Sequence, residues 1–66
     1  MNNLIVMLDI KIKYAKSHPE HAKQYFEQAF GMVEYHTYLF PNDFDKVEKL
    51  WNEVYRPQFE KIVFGY

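Results

Sequence analysis

Residues 17–43 read SHPEHAKQYFEQAFGMVEYHTYLFPND, a long segment framed by two prolines. Successive residues are placed 100° apart, as on a helix. Ala22, Tyr25, Phe26, Ala29, Phe30, Met32, Val33 and His36 then share one half of the wheel. Lys23, Gln24, Glu27, Gln28, Gly31 and Glu34 take the other half. That is the pattern of an amphipathic helix with a broad apolar face. Unbroken over 18–39 it is about 33 Å long. Gly31 costs it about 1 kcal/mol relative to alanine, so a break there is the alternative.

The flanks read as helix boundaries. Ser17 with Glu20 forms a capping-box pattern, and Pro19 sits in the first turn. Phe40 before Pro41 is pushed away from helical angles, which ends the segment. Asn42 is a good N-cap for the next segment, with Asp43 and Asp45 near the positive end of its dipole. In residues 43–64, Phe44, Val47, Leu50, Trp51, Val54 and Tyr55 form one apolar stripe. Pro57 removes a backbone bond to the carbonyl of Glu53, so a kink or restart is expected near Arg56. Phe59, Ile62 and Val63 can pack beyond it.

The first segment, 3–16, supports two readings. Leu4, Val6, Leu8, Ile10, Ile12 and Tyr14 alternate as a strand does. Leu4, Ile5, Leu8, Ile12 and Ala15 make a helical face, with Lys11 intruding. The expected fold is all-α: three amphipathic helices at about 3–16, 18–39 and 43–64, a bundle completed by self-association. The alternative is α+β, with an N-terminal strand paired to the final run KIVFGY.

Sixty-six residues allow one domain, 1–66, at most. A chain this short is marginal alone. Cysteine is absent, which excludes disulfides and thiolate zinc sites. The remaining supports are a second chain, a histidine or carboxylate metal site, or a dense core. Six Phe, six Tyr and one Trp can fill a core and leave some for an interface. The richness in Lys, Asn, Ile, Phe and Tyr fits AT-rich coding, as in low-GC bacteria or their phages. The apolar run LIVML is too short to cross a membrane and lacks the flanks of a secretory signal. A cytoplasmic location is expected.

Chemistry is sparse. His18 and His21 lie three apart beside Glu20, on one side of the first turn. A structural zinc wants four ligands. His36 lies about 22 Å farther along the same helix, so it cannot join them within one chain. A helix start with two solvated histidines explains the stretch better than a metal site. His36 falls on the apolar face, where a partly buried ring bonded to a core tyrosine is expected. A pH-sensitive role is the sharper alternative. No nucleophile stands with a base and an orienting group, and no glycine-rich loop offers a phosphate cradle. The chain is read as non-catalytic, with no cofactor.

Three function classes follow. The first is a small helical protein–protein interaction module, an adaptor, inhibitor or accessory subunit, with a second copy of itself (a homodimer) and an unidentified protein as the expected partners. The second is a nucleic-acid-associated regulator, with a helix-turn-helix around Gly31. Against it, the net charge is −1, and MVEYHTYLF carries no lysine or arginine for phosphates or base edges. The third is a metal-binding helical protein using His18 and His21. The first is preferred. Its contact residues are expected at Tyr35, Tyr38 and Leu39, with Trp51 and Tyr55 as core or interface anchors. Gly31, Tyr35 and Tyr38 form one row opposite the apolar stripe. That row either meets a partner or packs under another helix of the same chain; either way the middle helix is contacted on two sides and is expected to be central.

Overall fold

Two X-Pro corners fold the chain. Proline disfavours helical angles in the residue before it. His18 takes φ −133°, ψ 70°, and Phe40 takes φ −129°, ψ 71°. Each corner runs into a short 3-10 turn, Pro19–His21 and Pro41–Asp43. The result, in a computed structural model that describes residues 1–65, is three helical rods. The first is α1, Asn2–Ser17. The second is α2, Ala22–Leu39, unbroken at Gly31. The third is composite: α3, Phe44–Leu50, then a π turn, Trp51–Tyr55, then α4, Arg56–Phe64. The expected all-α fold is present, and no strand occurs among the described residues.

The strand reading of the N-terminus is overturned. Leu4, Leu8, Ile12 and Ala15 are buried while Val6 is 55% exposed. Alternation would have put Val6 beside Leu4 and Leu8. The proposed pairing run is helical from 61 to 64, and its last residue, Tyr66, lies outside the described residues. Lys11 does not spoil the helical face. Its ammonium donates to Gln28 Oε1 at 2.8 Å and lies 6.0 and 5.8 Å from the ring centres of Tyr14 and Tyr25. A long aliphatic stem lets the charge leave the apolar seam.

Both expected caps are displaced. Ser17 is still helical in α1 and makes no cap bond to α2; the corner falls on His18 because Pro19 restricts that residue. Asp43, not Asn42, stands at the N-cap of α3. Neither position makes a side-chain cap hydrogen bond. At the far end Gly65, at φ 77°, closes α4 and donates its N–H to Lys61 O at 2.9 Å. That left-handed angle suits glycine.

α1 and α2 form an antiparallel hairpin. Tyr14 meets Tyr25 with ring centres 5.7 Å apart, Lys11 meets Gln28, and Met7 shares a groove with Met32. The third rod lies against both. Phe26 of α2 stacks on Phe59 at 5.4 Å and 9°, and Trp51 touches both rings. Tyr55 reaches α1, its hydroxyl donating to Asp9 Oδ1 at 2.6 Å.

The π turn accommodates Pro57. An α-helix would need a Pro57 N–H bonded to Glu53 O, and the ring would clash with that carbonyl. Here Arg56 N–H reaches back five residues to Trp51 O. The Gln58 side-chain amide donates to Val54 O at 2.8 Å. The wider turn also sets the register. A spacing of four drifts about 40° per step on an α-helix, and the additional residue in the turn offsets that drift. Val47, Trp51, Tyr55 and Phe59 therefore all face inward. Val54, expected on the stripe, turns outward and is 42% exposed. Among the described residues no helix is long and apolar enough to cross a membrane.

Phe59 is fully buried. Phe59→Ala should cost about 3–5 kcal/mol, comparable with the whole stability of a chain this size. Circular dichroism at 25 °C should show extensive loss of helix; retention of the wild-type melting curve would remove Phe59 from its place at the junction.

Tyr55 gives a pH prediction. Burial, then the hydrogen bond to Asp9 and its negative charge, push the Tyr55 hydroxyl up from 10.0 to about 12. The folded state therefore holds this proton more tightly than the unfolded chain. That contribution is complete below pH 10 and is lost as pH rises towards 12. Tyr55→Phe should lose on the order of 1 kcal/mol at neutral pH and decline less steeply in urea midpoint between pH 10 and 12. Parallel curves for the two proteins would contradict the assignment.

Candidate interaction surface

The buried side of α2 consists of small residues. Ala22, Ala29 and Val33 face inward, with Tyr25, Phe26 and Met32 at the margins. Small side chains let the neighbouring rods approach, and the larger ones are left at the edges or outside. Phe30, counted from the wheel among the apolar half, is 47% exposed. It lies at the edge of that half, and its ring leans on Trp51 with centres 5.9 Å apart. Its outer side faces solvent.

The opposite face of α2 is not covered by another rod. Tyr35 is 64% exposed, Tyr38 82% and Leu39 49%. Gly31 stands in the same row, and a Cβ built there meets nothing within 4 Å. The expectation that α2 would be central needs adjustment. Its inner side meets α1 and the third rod together, and the row of Gly31, Tyr35 and Tyr38 lies outside that packing. Trp51 and Tyr55, named with these residues as core or interface anchors, lie in the core at 5% and 4% exposure.

Two grooves flank this ridge. One runs between α2 and α3, floored by Val33, Val47 and Trp51 and rimmed by Phe30, Tyr38 and Phe44. Glu34, Glu48 and Arg56 stand along it, so both signs of charge line the groove. Arg56 also donates to Glu60 Oε2 at 3.3 Å. The other groove runs between α1 and α2, with Met7, Met32, Tyr35 and Leu39 along it and Gly31 at one edge. The grooves were invisible in the sequence, because they depend on which rods meet. The ridge between them was visible as apolar and glycine residues on a polar half-wheel.

The histidines resolve separately. His18 Nδ1 lies 3.6 Å from Glu20 Oε1 and His21 Nε2 lies 4.0 Å from it, all on side chains more than half exposed. Among the described residues no group of three His, Cys, Asp or Glu is arranged to hold a metal ion. His36 has a different partner from the tyrosine expected. Its Nε2 lies 3.0 Å from Asp43 Oδ2, and its ring packs on Phe40 at 4.9 Å. The proline corner brings Asp43 back onto the end of α2, a closure that helix periodicity alone does not contain. The contact ties the corner to the helix it ends. Thr37 donates its hydroxyl to Glu34 O at 2.8 Å within α2.

No family model, curated protein or solved structure matches this chain. The surface therefore has to be read from its own chemistry. It offers aromatic and aliphatic area beside a few charges, the composition enriched at protein contacts.

If the ridge carries no folding load, its residues can be truncated cheaply. Tyr35→Ala with Tyr38→Ala should leave helicity intact and shift stability within about 0.5 kcal/mol per site. Unfolding by the double variant in urea would place these tyrosines in the core instead.

Proposed function

We propose that this chain is a small non-catalytic helical module for protein–protein interaction, an adaptor, inhibitor or accessory subunit acting in the cytoplasm. The observation that carries this reading is the exposed apolar row on α2, where Tyr35, Tyr38 and Leu39 are each about half exposed or more. Tyrosine combines a large rigid contact area with a polar tip, and it is favoured where surfaces meet. The grooves on both sides offer apolar floors into which a partner's side chains can descend. Trp51 and Tyr55 contribute indirectly, since they hold the third rod in place and so shape the first groove.

The test is photo-crosslinking in the native host. A benzophenone-bearing residue replaces Tyr38 in one variant and Lys23, on the exposed N-terminal half of α2, in another. The reading requires a discrete adduct from position 38 that is absent from position 23. Equal labelling from both positions, or none from 38, would sink it.

A further inference from the structure

The interaction reading leaves the occupant of the α2 face open, and the present inference rests on that reading. We infer that the occupant is a second copy of this chain, docked about a two-fold axis with the two α2 helices antiparallel and Tyr38 of each seated on Gly31 of the other.

Three observations carry it. The first is spacing. Gly31 and Tyr38 are two helical turns apart on one face, about 10.5 Å along the axis. One is the lowest point of the ridge and the other, at 82% exposure, its most prominent knob. A two-fold axis passing midway, beside Glu34 and Tyr35, places each knob over the other copy's low point. Isologous docking needs this self-complementarity.

The second is area. A stable interface of standard size takes about 800 Å² from each partner, and this chain exposes 4799 Å² in all. At about 200 Å² per aromatic side chain, the exposed parts of Phe30, Tyr35, Tyr38 and Phe44 alone supply roughly 500 Å². Leu39 and Met7, at 49% and 44% exposure, line the groove beside Tyr35. The apolar centre is large enough for a dimer, and the charged groove wall supplies a rim.

The third is charge. The axis brings the Glu34 side chains of the two copies near each other, which alone is unfavourable. Arg56, on the third rod, lines the same groove as Glu34 of α2. Its guanidinium has five donors, and the contact to Glu60 leaves some free. Each copy then brings one glutamate and one arginine to the contact, so the repulsion between the glutamates is offset by cations lining the same groove. A partner helix of one sign would meet both signs here.

Gly31 supplies the decisive variant. In the single chain nothing lies near its missing side chain, so leucine there should strengthen α2 by nearly 1 kcal/mol. In the dimer leucine obstructs the seat of Tyr38. Sedimentation over a wide concentration range should move the wild-type mass from 8.1 kDa towards twice that value. Gly31→Leu should weaken association at least tenfold, with helicity and dilute-solution melting temperature at or above wild type.

A cysteine test fixes the geometry, since the chain has no cysteine of its own. The double variant Gly31→Cys with Tyr38→Cys should oxidise to a closed dimer. Its own two positions are about 10.5 Å apart, beyond the reach of one disulfide. Each single variant should stay uncrosslinked, because like positions are about as far apart across the axis. A wild-type chain that stays monomeric overturns the inference. So does a dimer indifferent to Gly31→Leu, or a ladder of polymers from the double variant. A monomer whose position 38 crosslinks to a different protein overturns this inference and leaves the interaction reading standing. A monomer with no adduct removes both.

Discussion

The contact among Phe26, Trp51 and Phe59 fixes the third rod against α2. Phe26 comes from α2, Trp51 from the π turn and Phe59 from α4, with ring centres 5.4–6.0 Å apart. Aromatic pairs at such distances add about 0.5–1.5 kcal/mol beyond their buried area. More important is where the triangle sits. It locks the third rod to α2 on both sides of the proline. Farther along α4, Ile62 and Val63 add their packing against the core.

That triangle in turn depends on the π turn. Trp51 and Phe59 are eight residues apart, and a straight α-helix would rotate them about 80° from each other. Pro57 makes the straight α-helix unavailable, and the wider turn that tolerates proline also restores the alignment. Tyr55, between them, is carried to the same side and reaches Asp9. One backbone irregularity thus links the third rod to α2 through rings and to α1 through a hydroxyl. Proline here aligns the core rather than interrupting it.

Much of this was legible in the sequence, for reasons that differ by element. α2 was plain because its small and large apolar residues repeat with the helical period over many turns. The corners were plain because proline acts on its neighbour whatever the tertiary context. α1 was ambiguous because Val6, Ile10 and Tyr14 are apolar and tertiary packing, not periodicity, decides which apolar positions are buried. The displaced caps show the same limit. Ser17 and Asn42 carry the right side chains, but the corner forms where proline restricts the backbone, and Asp43 is engaged by His36 instead. The π turn left a trace in the four-residue spacing of Val47, Trp51, Tyr55 and Phe59 ahead of and across a proline. An α-helical wheel hides that trace by construction, and so it placed Val54 on the wrong side. Of the candidate surface, the ridge could be read, since it is a property of one helix. The grooves could not, since they belong to pairs.

The distribution of aromatic residues argues that the exposed ridge is not spillover from an overfilled core. Only Trp51, Tyr55 and Phe59 are buried among the described aromatics. The rest of the core is Leu, Ile, Val and Ala, and among the described residues no buried side-chain polar atom is left unpaired. Polar residues at 35 and 38 would serve an isolated chain equally well, and alanine at 31 would serve it better by about 1 kcal/mol. The fold therefore places no requirement on Gly31, Tyr35 or Tyr38. The proposed contact gives their combination a use: with a second surface against them, the glycine would permit an approach that a side chain would obstruct, and the tyrosines would lose water that they otherwise keep.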